Sequence, residues 1–336
     1  MPWKERYTIS DERTLLDSEV RWPDGKRCGF RVVVDLAPAS GPDGIKPQDL
    51  ATPDAYYGMH GGLGALGGVL MRYGLRATFA VPAVMAEIHA DTIRRLRGNG
   101  HEIAAHGFKH EDVSTLSRED ERARLERTTE ILARVAGERP SGWFSLPRQS
   151  DKYAGGAVSP NTIDLLVAAG YDYFGNGLAD DLPHYWVCDF ASRRNILALP
   201  YYYHFDDQFF LLFPRKGTGL ENPDSLLRNW KAELDAQYKR GRQFSMVLHP
   251  HAISWPNRLH VLEQFLDLRA QPARVVACDQ RRVRASLARH IPRGHASEAR
   301  AIDLARLSRQ PELSVCHPER CEGSFLIHKV RSLRSG

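Results

Sequence analysis

One repeated unit constrains this chain more than any other feature. A short apolar or β-branched run ends at a polar residue, and a loop and a helix-like segment follow. Residues 29–36 (Gly-Phe-Arg-Val-Val-Val-Asp-Leu) read as a buried strand that places Asp35 at its C-terminal end. Residues 76–82 read as a second strand and residues 86–97 as a helix closed by Gly98-Asn99-Gly100. A third strand, 102–105, runs into His106-Gly107-Phe108-Lys109-His110. Residues 117–136 are expected to be a helix capped by Ser117, 142–147 a strand, and 159–169 a helix opened by Ser159-Pro160. Later strands are expected at 197–203, 209–213 and 244–249, and helices at 222–239 and 257–268. Such alternation predicts an α/β fold with a mainly parallel sheet. In α/β barrels the chemistry sits at the strand C-terminal ends, where Asp35, His106, His110 and His249 fall.

The glycine-rich stretch 58–68 has no Gly-Lys-Ser/Thr ending and no strand directly before it, so it reads as a helix packing on the sheet rather than a phosphate loop. At 42% hydrophobic and 26% charged residues, the chain has the composition of a globular protein. Its formal charge of +5 is concentrated beyond Ile291, which leaves a nearly balanced body and argues against a nucleic-acid partner. The polar start, Met-Pro-Trp-Lys-Glu-Arg-Tyr, lacks the apolar core of a secretory leader, and no run approaches the ~20 apolar residues of a membrane span. Five scattered cysteines fit a reducing compartment, so the expected location is the cytoplasm. The expected layout is an N-terminal arm at 1–27, a catalytic domain at 28–290 and a disordered extension at 291–336.

Several residues have the chemistry of a site. His106 and His110, four apart after a strand, can meet one metal ion, although such a spacing also arises by chance. Asp35 is a general base or a turn cap. His249 is held extended by Pro250; it is a proton donor to a leaving nitrogen or a core histidine. Asp206 and Asp207 would point to opposite faces of a strand, one of them into a pocket. The neighbouring tyrosines, Tyr203 among them, form a substrate wall or pack in the core.

The ordered set identifies a resemblance. Val34-Asp35-Leu36 comes first, then Ala77-Thr78-Phe79, then Gly100-His101-Glu102-Ile103-Ala104-Ala105-His106-Gly107-Phe108-Lys109-His110-Glu111. Gly142-Trp143, Phe205-Asp206-Asp207 and Met246-Val247-Leu248-His249-Pro250 follow. The whole, over roughly residues 21–284, resembles the polysaccharide deacetylase superfamily (carbohydrate esterase family four). It is most similar to the intracellular branch with peptidoglycan-deacetylase-like proteins and metal-independent allantoinases. The resemblance implies a distorted (β/α)7-type barrel. It implies Asp35 as base, His249 as acid, and His106 and His110 as ligands of a divalent ion, usually zinc. Tyr203, Asp206, Asp207, Trp143 and His60 are the residues expected to meet the substrate.

The implied activity is hydrolysis of an amide C–N bond in a small molecule or an N-acetylated sugar, by an assembly of identical subunits. Two departures stand out. The family's metal-binding acid, one or two residues after the base, is replaced by Leu36 and Ala37, with His60 as a candidate substitute. Phe144 stands where many members carry an arginine. The lost acid keeps two alternatives open: a metal-independent, allantoinase-like hydrolase of cyclic amides or imides, and a binding protein on a decayed scaffold.

Overall fold

The computed structural model describes residues 17–22, 25–38, 41, 43–144, 159–177, 182–189, 192, 194–200, 206–212, 222–270 and 275–277. The chain divides into two units, Met1–Ala301 and Ile302–Gly336, and the described residues all lie in the first. The extension expected at 291–336 and the first sixteen residues of the expected arm lie outside them.

Among the described residues, nine strands form one sheet: β1 (Cys28–Asp35), β2 (Thr78–Val81), β3 (Glu102–Ala105), β4 (Gly142–Phe144), β5 (Tyr173–Gly177), β6 (His184–Asp189), β7 (Arg194–Pro200), β8 (Gln243–Leu248) and β9 (Val275–Ala277). Their order is β6-β7-β5-β4-β3-β2-β1-β8. All pairs are parallel except β6 with β7. On one edge of β1, β2 covers Val33–Asp35, while β9 covers Cys28–Phe30. Among the described residues the sheet does not close, so the expected barrel is an open α/β sheet with the helices of a barrel around it.

The helices are α1 (Pro47–Leu50), α2 (Pro53–Tyr57), α3 (Leu63–Arg72), α4 (Ala83–Ile88), α5 (Ala90–Gly98), α6 (Arg118–Ala136), α7 (Thr162–Ala168), α8 (Asp207–Leu211), α9 (Pro223–Arg240), α10 (Pro250–Ile253) and α11 (Pro256–Ala270). Their ends follow the local chemistry. Ser117 Oγ accepts the Asp120 N–H at the start of α6, and Asn222 with Pro223 opens α9. Gly137 and Gly241 close these helices at φ 76°, a left-handed conformation that glycine adopts without a Cβ penalty.

Two expectations are corrected. Of the strand expected at 209–213, the described residues 209–212 do not form one: Asp206 accepts the Gln208 N–H as an N-cap, and Asp207–Leu211 is helical. The glycine-rich stretch is helical as expected but opens with a π-helical turn, Gly58–Gly62, before α3. Bare backbone at this turn permits close packing, because a Cβ on Gly62 would lie 2.8 Å from the Pro250 carbonyl. Part of the expected polar arm is also anchored. Trp22 is buried, donates from Nε1 to the Gly241 carbonyl at 2.8 Å and packs against Gly29, while Asp17 pairs with Arg242.

Strand alternation sorts the apolar side chains into two clusters. Val33, Ala80, Ala104, Phe144, Tyr173 and Val247 share one face of the sheet. The larger cluster, including Phe30, Phe79, Trp230, Phe244 and Phe265, fills the space between the sheet and the helices. Glycines on α3 are under no such packing demand: a Cβ on Gly64 or Gly67 would meet nothing within 4 Å. Gly64→Ala and Gly67→Ala are each expected to stabilise the fold by about 0.5–1 kcal/mol. Urea denaturation of the two variants measures this, and a loss of stability would show that something in the chain needs the bare backbone.

Candidate active site

The face that carries Val33, Ala104 and Val247 also carries Asp35, His106 and His249, two residues further along each chain. Asp35 is the last residue of β1, His106 follows β3, and His249 follows β8. Because β3, β2, β1 and β8 are neighbouring parallel strands, their C-terminal ends bring the three side chains to one place.

The Asp35 carboxylate is the hub. Its Oδ2 lies 3.1 Å from His106 Nε2 and 3.4 Å from His249 Nε2. Oδ1 accepts the Ala37 N–H at 2.7 Å. Burial would push this carboxyl up, but the imidazoles of His106 and His249 outweigh it and hold the pKa well below the usual carboxylate value.

His110 reaches the same point through a tight loop. Gly107 has φ 76° and His110 itself φ 61°, a left-handed conformation unusual for a residue with a side chain. The turn brings the two imidazole ring centres to 4.2 Å. One ligand atom from each of Asp35, His106 and His110 lies within 4.8 Å of the others. A carboxylate and two imidazoles are a donor set that zinc and similar divalent ions take, so the residues present fit such an ion.

The loop is clamped from outside. Ala83 and Val84 donate N–H bonds to the Gly107 and Phe108 carbonyls, and Ile45 donates to the Lys109 carbonyl at 2.7 Å. Buried Glu111 accepts the Lys109 N–H at 2.8 Å and pairs with Arg124 at 2.7 Å. Glu111→Ala is expected to cost about 2 kcal/mol in chemical denaturation, and an unchanged midpoint would show that the clamp does not hold the loop.

His249 is fixed from behind. Asp207, fully buried, accepts the His249 backbone N–H at 2.9 Å and faces Nδ1 at 2.8 Å. Asp206 Oδ1 lies 3.5 Å from the same Nδ1. Burial alone would favour the neutral ring, but Asp206, Asp207 and Asp35 together raise its pKa well above the ordinary value. Burial also pulls the Asp207 carboxyl upward. Its oxygens nevertheless face N–H groups of His249, which fits the ionised form. With Nδ1 held, Nε2 is the nitrogen presented to Asp35. A small cavity of about 10 Å³, roughly the space of one water, is lined by Asp35, Met59 and His251. Burial lowers the His251 pKa to about 4, so this ring is neutral at ordinary pH.

The other residues singled out from the sequence are placed as follows. Trp143 faces the helices, its ring edge-on to Tyr171 at 5.7 Å, and its neighbour Phe144 meets His106 edge-on at 6.2 Å. His60 is exposed, stacked on Tyr56 at 4.1 Å, and belongs to neither His/acid cluster among the described residues. Asp206 and Asp207 sit behind His249, at the start of a helix instead of along a strand. Tyr203 lies outside the described residues. Sequence reasoning missed the Asp207–His249 pairing and the Glu111 clamp. The only local signal was the acidic pair Asp206-Asp207 itself.

Comparison with known proteins adds the family. Residues 57–174 match the polysaccharide deacetylase family model. A peptidoglycan deacetylase of Helicobacter pylori is 22% identical over 222 residues, which are 58% of this chain and 73% of that protein. A Mycobacterium smegmatis protein described as a polysaccharide deacetylase superposes with a TM-score of 0.67 at 27% identity, covering 79% of this chain and 92% of its own. Over residues 57–174 and in its fold this chain is similar to polysaccharide deacetylases. The deacetylase match contains both His106 and His110. The Puue allantoinase has the same fold, with a TM-score of 0.69 at 20% identity, covering 83% of this chain and 95% of that one. Among the described residues, no helix is long and apolar enough to cross a membrane.

Proposed function

We propose that the protein hydrolyses the C–N bond of an amide, in the manner of a deacetylase, with an N-acetylated sugar or a small amide metabolite as substrate. The observation that carries this reading is the Asp35 carboxylate, set between His106 at 3.1 Å and His249 at 3.4 Å. Asp35, His106 and His110 are the residues that would hold a divalent ion. When bound, such an ion polarises a carbonyl and acidifies a water. Asp35 then stands in for the acid that the family places where this chain has Leu36 and Ala37. Its depressed pKa suits a permanent anion better than a strong proton acceptor.

His249 is the proton donor. Asp207 holds Nδ1 and favours the imidazolium, so Nε2–H is available to protonate the departing nitrogen. Phe144 and the closely packed turn at Gly58–Gly62 limit water around these groups.

A leaving-group comparison tests the donor role. His249→Ala is expected to slow acetate release from N-acetylglucosamine oligomers by about 10²–10⁴-fold. Cleavage of p-nitrophenyl acetate, whose phenolate needs no proton, should fall by less than about tenfold. Equal losses on both substrates would remove the assignment. A second reading, metal-free hydrolysis with Asp35 as base and His249 as acid, is favoured by the direct approach of Asp35 Oδ2 to both histidines.

A further inference from the structure

We propose that the groove between α3 and α5 is a second ligand site, one that takes a small amphipathic anion and seats its carboxylate or phosphate on His101, Arg76 and Arg95. The groove has a volume of about 670 Å³ and lies outside the His/acid clusters. This is the size of a small-molecule pocket.

The polar side chains that line the groove are His60, Arg76, Arg95, Asn99 and His101, with no carboxylate among them. His101 is 7% exposed and lines the groove. Its Nδ1 accepts the Ala77 N–H at 3.1 Å, so the ring proton of the neutral imidazole is on Nε2. That Nε2–H meets no acceptor among the described residues, so it is available to donate to a ligand in the groove that His101 lines. Arg76 lies beside it, its guanidinium carbon 3.4 Å from where a Cβ on Gly100 would stand. On α5, Arg94 and Arg97 are paired with Asp91 and Glu138, whereas among the described residues Arg95 reaches only Thr92 Oγ1 at 3.5 Å. Two guanidiniums and one imidazole N–H line the same groove, and no carboxylate does. An acceptor-rich anion is the chemistry they match.

Glycines and apolar side chains form much of the rest of the groove. Gly64, Gly67 and Gly68 follow one face of α3 at helical spacing and line it. A Cβ on Gly64 or Gly67 would meet nothing, and one on Gly68 only the tip of Arg72 at 4.0 Å. Glycine inside a helix is destabilising, and here no neighbour in the chain requires it. The bare backbone leaves a shallow floor for an alkyl or planar body. Leu63, Leu75 and Leu96 line the walls, and Met71, 78% exposed one turn on, borders the floor.

The test is calorimetric titration of the full chain with hexyl phosphate, hexanoate and inorganic phosphate. Hexyl phosphate is expected to bind once per chain, at least about tenfold more tightly than inorganic phosphate, through the buried alkyl chain. The hexanoate arm tells whether the acid group accepted is a carboxylate as well as a phosphate. The Arg76→Ala/Arg95→Ala double variant changes two exposed side chains and is expected to weaken hexyl phosphate about 10–100-fold. Gly67→Leu should erase the advantage of the alkyl chain while inorganic phosphate binds as before. Asp35→Asn should bind hexyl phosphate as the parent does, which separates this groove from the metal-binding cluster. No saturable binding, equal affinity for inorganic and hexyl phosphate, an unaffected double variant, or loss of binding in Asp35→Asn would each overturn the proposal.

Discussion

Asp207→Ala is expected to lower kcat by about 10²–10⁴-fold with little change in KM, and to destabilise the fold by about 3–5 kcal/mol. Asp207 touches no substrate in this account. It accepts the backbone N–H of His249 and faces Nδ1 at 2.8 Å, so its removal frees the ring and leaves buried N–H groups without a partner. The pH behaviour separates a positioning role from simple loss of fold. His249 must be protonated to donate, so activity falls as pH rises through its raised pKa. In Asp207→Asn that pKa drops, and the high-pH limb of kcat should move to lower pH. Stability follows the same sign. The folded-state pKa of His249 lies above the ordinary 6.5, so the pair's contribution is complete below about 6.5 and fades as pH climbs through the raised value. The stability gap between Asp207→Ala and the parent should therefore narrow on the alkaline side. A kcat profile that falls in height without moving along the pH axis would assign Asp207 a structural role alone.

Asp35→Asn should remove more still. The change keeps shape but deletes the anion that holds His106 at 3.1 Å and His249 at 3.4 Å. Loss of groups that only support ligands already weakens metal sites about 10–100-fold, so loss of a ligating carboxylate should weaken zinc binding by more than about 100-fold. Hydrolysis should fall at least about 10²–10³-fold. The stability change has the opposite pH dependence to that of Asp207. The Asp35 pKa is depressed, so its contribution is present above the ordinary 3.8 and lost as pH falls through the lower folded value. Zinc titration of the variant by calorimetry, with activity measured on the same preparation, gives both numbers. Unaltered zinc affinity in Asp35→Asn would mean that the carboxylate is not a ligand.

Much of this site was legible because three buried strands end on, or run directly into, the residue that matters. Cys28–Asp35 and Gln243–Leu248 are fully apolar on the face toward the helices, which fixes both strand register and the direction of Asp35 and His249. Other parts carried no such signal. The Phe209-Phe210 aromatics suggested a strand, but the Asp206 cap next to them starts a helix, and capping won over β-propensity. Strand β4 is only three residues long, too short for alternation to tell that Phe144 and not Trp143 would face His106. The Asp207–His249 contact joins residues forty-two apart in sequence, and nothing local announces it. Strands β5 and β6 contain glycine, histidine and a β-bulge partner rather than a clean apolar run, so they escaped a pattern reading.

The central claim is that Asp35 completes a metal site with His106 and His110 in a chain that lacks the family's second acid. Elemental analysis of the purified protein, with amide hydrolysis assayed before and after chelation, tests it most directly. About one divalent ion per chain, with activity lost on chelation and restored by zinc, is the predicted result. A metal-free protein whose hydrolysis survives chelation would contradict the claim and leave Asp35 and His249 as an acid–base pair working alone.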